Sequence, residues 1–211
     1  LFVRQRGSLL AHIQITHHQY NVDPPGKRIT YRSNREGLGE GFEDSSVRHS
    51  IAADLALADH YEVTIGELEL AVLRQARIHD PNALALLTSV PGIGKVLALT
   101  ILYEIHDISR FPSVRDFASY SRLVKCERRS AGKRLGTGGN KIGNAYLKWA
   151  FSEAAVLFIA KSEQGRTVLK RLERKYGKPK ALSVLAHKLG RAVYYMLARK
   201  QAFDPQRFAT S

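Results

Sequence analysis

The densest chemistry in the chain lies between Ser121 and Lys148. This stretch, SRLVKCERRSAGKRLGTGGNKIGNAYLK, holds eight basic residues and one acid. Ser130 follows Arg129 and precedes Ala131-Gly132-Lys133. A serine hydroxyl is a weak nucleophile at its ordinary pKa, and flanking cations lower the cost of its alkoxide and of a pentacoordinate phosphorane. Ser130 on a glycine-rich loop therefore has the surroundings for attack on a phosphodiester. The same composition also suits plain phosphate binding, with the hydroxyl only donating a hydrogen bond. Lys125, Arg128, Arg129, Lys133, Arg134, Asn140, Lys141 and Lys148 are the candidate nucleic-acid contacts of this stretch. Asn140 is in addition a candidate cap for the next helix, whose positive end would point back at the loop. Cys126 has cationic neighbours but no base nearby in sequence.

A second constellation is Val90-Pro91-Gly92-Ile93-Gly94-Lys95 between two apolar segments. It resembles a helix-hairpin-helix element over 84–105. Gly92 and Gly94 would let the backbone turn tightly and approach a phosphate. The N–H groups of the following helix would bind that phosphate, Lys95 would add charge, and Ile93 would pin the turn to the core. Such contacts position a nucleic acid without reading its bases. A plain packed connector has the same composition. The histidines at 17, 18, 60, 79, 106 and 187 show no ligand spacing, and one cysteine excludes a multi-cysteine metal site, so no metal ligands are assigned.

Charge distribution points the same way. The net charge is +14, made of +2 over residues 1–50, −4 over 51–121 and +16 over 122–211. So localised an excess suits a polyanion, because each neutralised phosphate releases condensed counterions. No apolar run reaches the roughly 18 residues a membrane span needs, so no membrane partner is expected. The absence of a signal peptide and the single thiol suit a cytoplasmic, nucleoid-associated protein. Leu1 stands where a start Met is expected, as in a piece of a longer protein.

The elements that must carry these residues are helical. Periodicity predicts helices over 1–22 and 47–79, joined by an exposed loop at 23–45 that is mobile or ordered only by a partner. Together they read as a helical hairpin, a coiled-coil-like arm over 1–80 that joins copies of the chain into a homo-oligomer. Pro81 opens a compact helical domain over 81–211. It has helices near 83–89, 96–105 and 113–120, the basic glycine-rich active-site loop 121–141, and helices to about 161, over 164–176 and over 180–200. Ile142, Ala145, Tyr146, Trp149, Ala150, Leu157 and Ala160 are expected on one buried face, with Glu153 paired to a buried arginine. No convincing strand is visible, and the fold class is mainly α.

The order of these pieces resembles the transposase domain of the insertion sequence 110/116/902 family. The likeness rests on LLTSVPGIGKVLALTILYEI, FASYSRLV, RRSAGKRLGTGGNKIGNAYLKWAFSEAA and ALSVLAHKLGRAVYYMLARKQAFDPQRF, over about residues 82–208. Its most specific part is the glycine-to-lysine run from Gly138 to Lys148. The resemblance implies a DNA recombinase whose catalytic serine maps onto Ser130, with Ser121 as the neighbouring alternative. It further implies an RNase H-like domain whose four acidic residues bind Mg²⁺, a composite site assembled across subunits, and a noncoding bridge RNA as partner beside DNA. That acidic domain would precede residue 1. Asp23, Glu36, Glu43 and Asp44 lack its context, so this chain alone is expected to bind no Mg²⁺ and to be inactive. The other reading is a non-catalytic helix-hairpin-helix module for branched DNA or structured RNA.

Overall fold

The computed structural model describes residues 1–23, 25–124, 126–130, 133–138 and 142–210, with backbone alone at 126–130 and 134–138. The chain divides into two compact units, Leu1–Val72 and Leu73–Ser211. The division falls inside a helix, ahead of the Pro81 break seen in the sequence. Its physical basis is packing: Leu73 and Ala76 belong to the second core.

The first unit pairs α1 (Phe2–Gln19) with the leading part of α2 (Ser45–His79). Leu10, Ile13 and His17 recur at three- and four-residue steps and are buried against Val47, Ile51 and Ala58. That spacing puts them on one helical face. Phe2 stacks on Tyr61 at 5.8 Å, and the His12 ring lies 2.6 Å from the Asp54 carboxylate. The His17 Nδ1–H donates to the Asp23 carbonyl, while its buried Nε2 has no partner.

The segment between these helices is not the loose loop expected from its composition. Ile29 and Phe42 are buried in the same cluster, and the Phe42 ring meets His17 and Tyr20 edge-on. Arg35 is buried and organises the rest. Its Nε donates to the Ile29 carbonyl at 2.8 Å, one terminal nitrogen reaches Asp59, and the other reaches Thr30 O and Glu62. A buried guanidinium is tolerable when every donor edge is satisfied. Glycines and charges in 33–45 signalled exposure, but one arginine with several acceptors outweighs that signal.

The second unit is a helical assembly with one β-ribbon. α3 (Pro81–Thr88) starts at the cap Asp80, whose carboxylate accepts from Ala83 N at 2.8 Å with Pro81 at the first helical position. α4 (Lys95–Ile105) and α5 (Val114–Tyr120, capped by Ser113) follow. The ribbon consists of β1 (Cys126–Ser130) and β2 (Lys133–Gly138), and then come α6 (Ala145–Lys161), α7 (Glu163–Tyr176), α8 (Lys178–Arg199) and the short α9 (Pro205–Thr210). α6 and α8 form the centre. Leu147, Phe151 and Phe158 from α6 meet Leu185, Leu189 and Val193 from α8, with Leu97, Ala98 and Ile101 from α4. Gly190 lets α8 close in: a Cβ there would sit 2.4 Å from Leu123 Cδ1. The mainly helical class stands. Among the described residues no helix is long and apolar enough to cross a membrane.

The Arg35 cluster makes a testable contrast. Arg35→Ala strands two partly buried carboxylates and two carbonyls, and should cost about 2–4 kcal/mol. Arg32→Ala removes only an exposed pair to Asp59 and should cost under about 1 kcal/mol. Urea unfolding of the two variants measures both; equal losses would contradict the assignment of Arg35 as the organiser.

Candidate nucleic-acid interface

The basic stretch begins and ends at one clasp. Where the chain leaves α5, it turns through Arg122, whose φ is +52°. Where it returns, Gly143 has φ +99°, and a Cβ there would lie 2.6 Å from the Tyr120 carbonyl. Arg122 Nε donates to Gly143 O at 2.9 Å, and Asn144 N–H donates to Tyr120 O at 2.6 Å. The Asn144 side chain then does two things. Its Oδ1 accepts from Leu147 N at 2.9 Å and caps α6, and its Nδ2 donates to Glu104 on α4 at 2.5 Å. The cap is thus Asn144, not Asn140. The Gly143-Asn144 pair and the buried Leu147 account structurally for much of the glycine-to-lysine run.

Between the two sides of the clasp runs an antiparallel ribbon instead of the expected loop. Its register pairs Cys126 with Gly138, Glu127 with Thr137, Arg128 with Gly136, Arg129 with Arg134 and Ser130 with Lys133. A bulge lies between Arg128 and Arg129, leaving Leu135 without an opposite residue. The register thus makes Arg129 and Arg134 Cα partners across the ribbon. Ser130 closes the ribbon opposite Lys133, whose side chain is exposed. The strands give no sequence signal because neither shows apolar alternation: both are mostly polar and one carries two glycines. The Ala131-Gly132 pair between them was the available turn signal. Lys125, Ala131, Gly132, Gly139, Asn140 and Lys141 lie outside the described residues.

The alternative serine is sealed in. Ser121 is 0% exposed, and its hydroxyl is buried without a hydrogen-bond partner. A phosphodiester has no path to it in this conformation.

The turn at 90–94 separates its two glycines. Ile93 N donates to Val90 O at 3.0 Å, with Pro91 and Gly92 at the central positions and Gly92 at φ +97°. That is a type II turn, which requires a positive φ at its third residue. Gly92 is buried, and a Cβ on it would fall 2.6 Å from Phe158 N on α6. Its backbone therefore approaches a helix, not solvent, which removes it from the candidate phosphate contacts. Gly94 differs: it caps α4, is exposed, and has open space where a Cβ would go. Lys95 and Lys148 are exposed as well, and Ile93 is buried as expected.

α6 presents a different face from the one expected. Leu147, Ala150, Phe151, Ala154, Ala155 and Phe158 are buried, whereas Tyr146, Trp149 and Ile142 are 66%, 46% and 73% exposed. Glu153 is exposed too, and among the described residues it has no ion pair with an arginine. The helix is apolar almost all round, so periodicity alone could not choose its inner side. Close backbone contacts chose it: Gly92 and Gly165 both press on Phe158. Among the described residues no group of three or more His, Cys, Asp or Glu is placed to hold a metal ion.

Comparison with known proteins follows the same segment. Residues 84–170 match the model of the family described as Transposase IS116/IS110/IS902. The match runs from α3 through most of α7 and includes the turn, the clasp and the ribbon. Over 119 residues, 54% of this chain and 33% of the relative, the chain is 26% identical to the transposase for insertion sequence element IS1111A of Coxiella burnetii. Over 196 residues, 89% of this chain and 45% of the relative, it is 29% identical to the mini-circle protein assigned as the transposase for IS117 in Streptomyces coelicolor. The chain thus spans less than half the length of either relative, and residues 84–170 are similar to the transposase domain described by that family model.

Two substitutions test the structural reading of these motifs. Gly92→Ala should destabilise by about 2–4 kcal/mol, combining a left-handed backbone penalty with overpacking against α6. Gly94→Ala should stay within about 1 kcal/mol; thermal unfolding of both variants gives the comparison.

Asn144→Ala should cost about 1–2 kcal/mol through the lost cap. Asn144→Asp keeps the cap but sets a carboxylate against Glu104. At pH 7 it should be no more stable than Asn144→Ala, because the retained cap is offset by two apposed carboxylates, and the penalty should lessen as pH falls and the pair takes up a proton. Unfolding midpoints between pH 4 and 8 test this, and an Asp variant as stable as the parent at pH 7 would be inconsistent with the clasp.

Proposed function

We propose that this chain is the part of a DNA transposase that grips DNA and supplies a serine nucleophile for strand cleavage and exchange. The observation that carries the reading is the transposase-family match across the segment in which the ribbon register sets Ser130 opposite Lys133 and next to the Arg129–Arg134 pair. Three cationic residues at one end of a ribbon, two of them directly opposed, form a site that a phosphate group would relieve.

The step is a transesterification. The Ser130 oxygen forms a bond to phosphorus, a P–O bond to one deoxyribose breaks, and the serine proton is transferred, directly or through solvent, to the departing sugar oxygen. The phosphodiester bond energy is kept in a phosphoserine link, so the reverse attack by another strand's hydroxyl can rejoin DNA. Arg129, Lys133 and Arg134 stabilise the charge that grows on the phosphoryl oxygens. Gly94 and Lys95 at the start of α4, with Lys148 on α6, add backbone contacts that position the duplex in the manner of a helix-hairpin-helix. The RNase H-like domain, its Mg²⁺ and a noncoding RNA partner belong to the whole protein in this reading, and no step in this chain is routed through them. Residues 1–80 are assigned to association with a second copy.

The test uses the whole protein with a DNA substrate bearing its element's ends. Ser130→Ala removes only a hydroxyl from the end of the ribbon, so folding and DNA affinity should persist while strand exchange and the covalent protein–DNA adduct are lost. Recombination at the parental level in that variant would leave only the non-catalytic binding module. Replacing Arg129, Lys133 and Arg134 with Gln should lower duplex affinity and reduce the salt slope by about 0.9 per lost phosphate contact.

A further inference from the structure

A second cationic site lies away from the ribbon. α7, α8 and the segment through α9 enclose a cleft of about 940 Å³. Its walls carry Arg171 and Lys175 from α7, Lys188, Arg191 and Arg199 from α8, and Arg207 from α9. The spacing explains the convergence. Residues 171 and 175 are one helical turn apart, and 188, 191, 195 and 199 follow steps of three and four along a single face of α8. Among the described residues the only acid lining the cleft is Asp204, and its Oδ1 is already taken by the backbone N–H groups of Gln206 and Arg207 at 2.9 and 3.0 Å. Among the described residues, none of Lys175, Lys188, Arg191, Arg199 and Arg207 has a carboxylate partner.

These cations are held in other ways. The Lys188 ammonium donates to Phe208 O at 2.9 Å and lies 5.0 Å from the Phe208 ring centroid. Arg199 lies 4.7 Å over Tyr195, and Lys175 lies 5.2 Å over Tyr176. Such contacts orient a cation on an aromatic face and leave its charge uncompensated. The crowding is felt at the base of the cleft. Burial, then Arg171 and Arg191, push Lys188 below the usual lysine range, and burial followed by Arg191 does the same to His187. Six cations and one engaged carboxylate around a single cavity make a site for a polyanion.

The shape selects among polyanions. A double helix, with a major groove about 12 Å wide, offers its phosphates on a convex surface. A volume near 940 Å³ is of the size that encloses a small molecule or a few nucleotides. Tyr176 is 41% exposed and Tyr195 is half-buried. Bases stacked on these rings would set the connecting phosphates beside Lys175, Arg191 and Arg199, the combination that binds unpaired strands without regard to sequence. We propose that the α7–α8–α9 cleft is a binding site for a short segment of single-stranded nucleic acid, separate from the ribbon that meets the duplex. The proposal shares the nucleic-acid reading of this protein but does not depend on Ser130 or on the ribbon.

The test is fluorescence anisotropy on the intact chain. The probes are a labelled 12-nucleotide mixed-sequence DNA strand, the same sequence as RNA, and the corresponding DNA duplex. Replacing Lys175, Arg191 and Arg199 together with Gln should weaken strand binding and reduce its salt slope by about 2, at roughly 0.7 per lost contact. Tyr195→Leu should weaken strand binding by about tenfold, and duplex binding should fall by less than twofold in both variants. The two strand probes show whether the cleft prefers DNA or RNA, and either preference supports the site. An unchanged strand affinity and slope, an equal loss for duplex and strand, or competition by poly-glutamate as strong as by the unlabelled strand would overturn it. A Lys133→Gln, Arg134→Gln variant run alongside separates the two ideas. If it loses duplex binding while the cleft variant loses nothing, the cleft proposal fails alone; if the parent chain binds no nucleic acid, both fail. Should the triple variant not fold, photocrosslinking of an iodouracil-substituted strand to the parent chain decides. Adducts within 171–207 support the site, and adducts confined elsewhere refute it.

Discussion

The second unit depends on the hold that Asn144 keeps on three elements at once. One side chain caps α6, binds Glu104 on α4, and through its own backbone N–H returns to Tyr120 at the end of α5. Without that hold, the chain from Arg122 to Gly143 would be a basic excursion with unrelated ends, and its conformational freedom would oppose any fixed geometry. With it, entry and exit are fixed within hydrogen-bonding distance, and the segment between has only to close as a two-stranded ribbon. Such a ribbon is marginal by itself in water. The two ends of the ribbon segment are therefore held by helices α4, α5 and α6.

Charge is handled differently in the two units. In the first, Arg35 and Arg32 find Asp59 and Glu62, and His12 finds Asp54. In the second, cations rest on rings: Arg110 over Phe111 and Tyr120, Lys175 over Tyr176, Lys188 over Phe208, Arg199 over Tyr195. An ion pair cancels a field; an aromatic face leaves most of it in place. The +16 of residues 122–211 thus stays available to a partner, while the charges of the arm serve its own folding.

Much of this architecture was legible before the coordinates. The breaks at Pro81, Pro91 and Gly177 and the repeat of Leu185, Leu189 and Val193 are local signals, and the helices they delimit lie within a few residues of their expected ends. What escaped was set by distant contacts. The inner face of α6 was hidden because Tyr146 and Trp149 are as apolar as Leu147 and Phe151, and only the approach of Gly92 and Gly165 separates them. Arg35 looked like loop punctuation because its acceptors lie up to 27 residues away. The ribbon gives no periodic signal because its strands, CERRS and KRLGTG, show no apolar alternation. The cleft of α7, α8 and α9 was invisible because its cations come from three helices whose convergence is a tertiary event. The Ser130 assignment rested on composition and resemblance, and the register adds which residues stand opposite it.

The bulge between Arg128 and Arg129 gives that register an unexpected sensitivity. Leu135 is the supernumerary residue, and everything beyond it toward the tip is displaced by one step. In a regular ladder continuing from Arg128 and Gly136, Arg129 would face Leu135 and Ser130 would face Arg134. The extra residue instead brings the two arginines together and hands the serine to Lys133. Loss of the Leu135 codon would leave a regular ladder with Ser130 still opposite Lys133, whereas straightening the bulge with Leu135 kept would put Ser130 opposite Arg134. The position of the extra residue therefore sets which residue stands opposite the serine, and an alignment that places it nearer the tip than Ser130 would assign Arg134 as the neighbour.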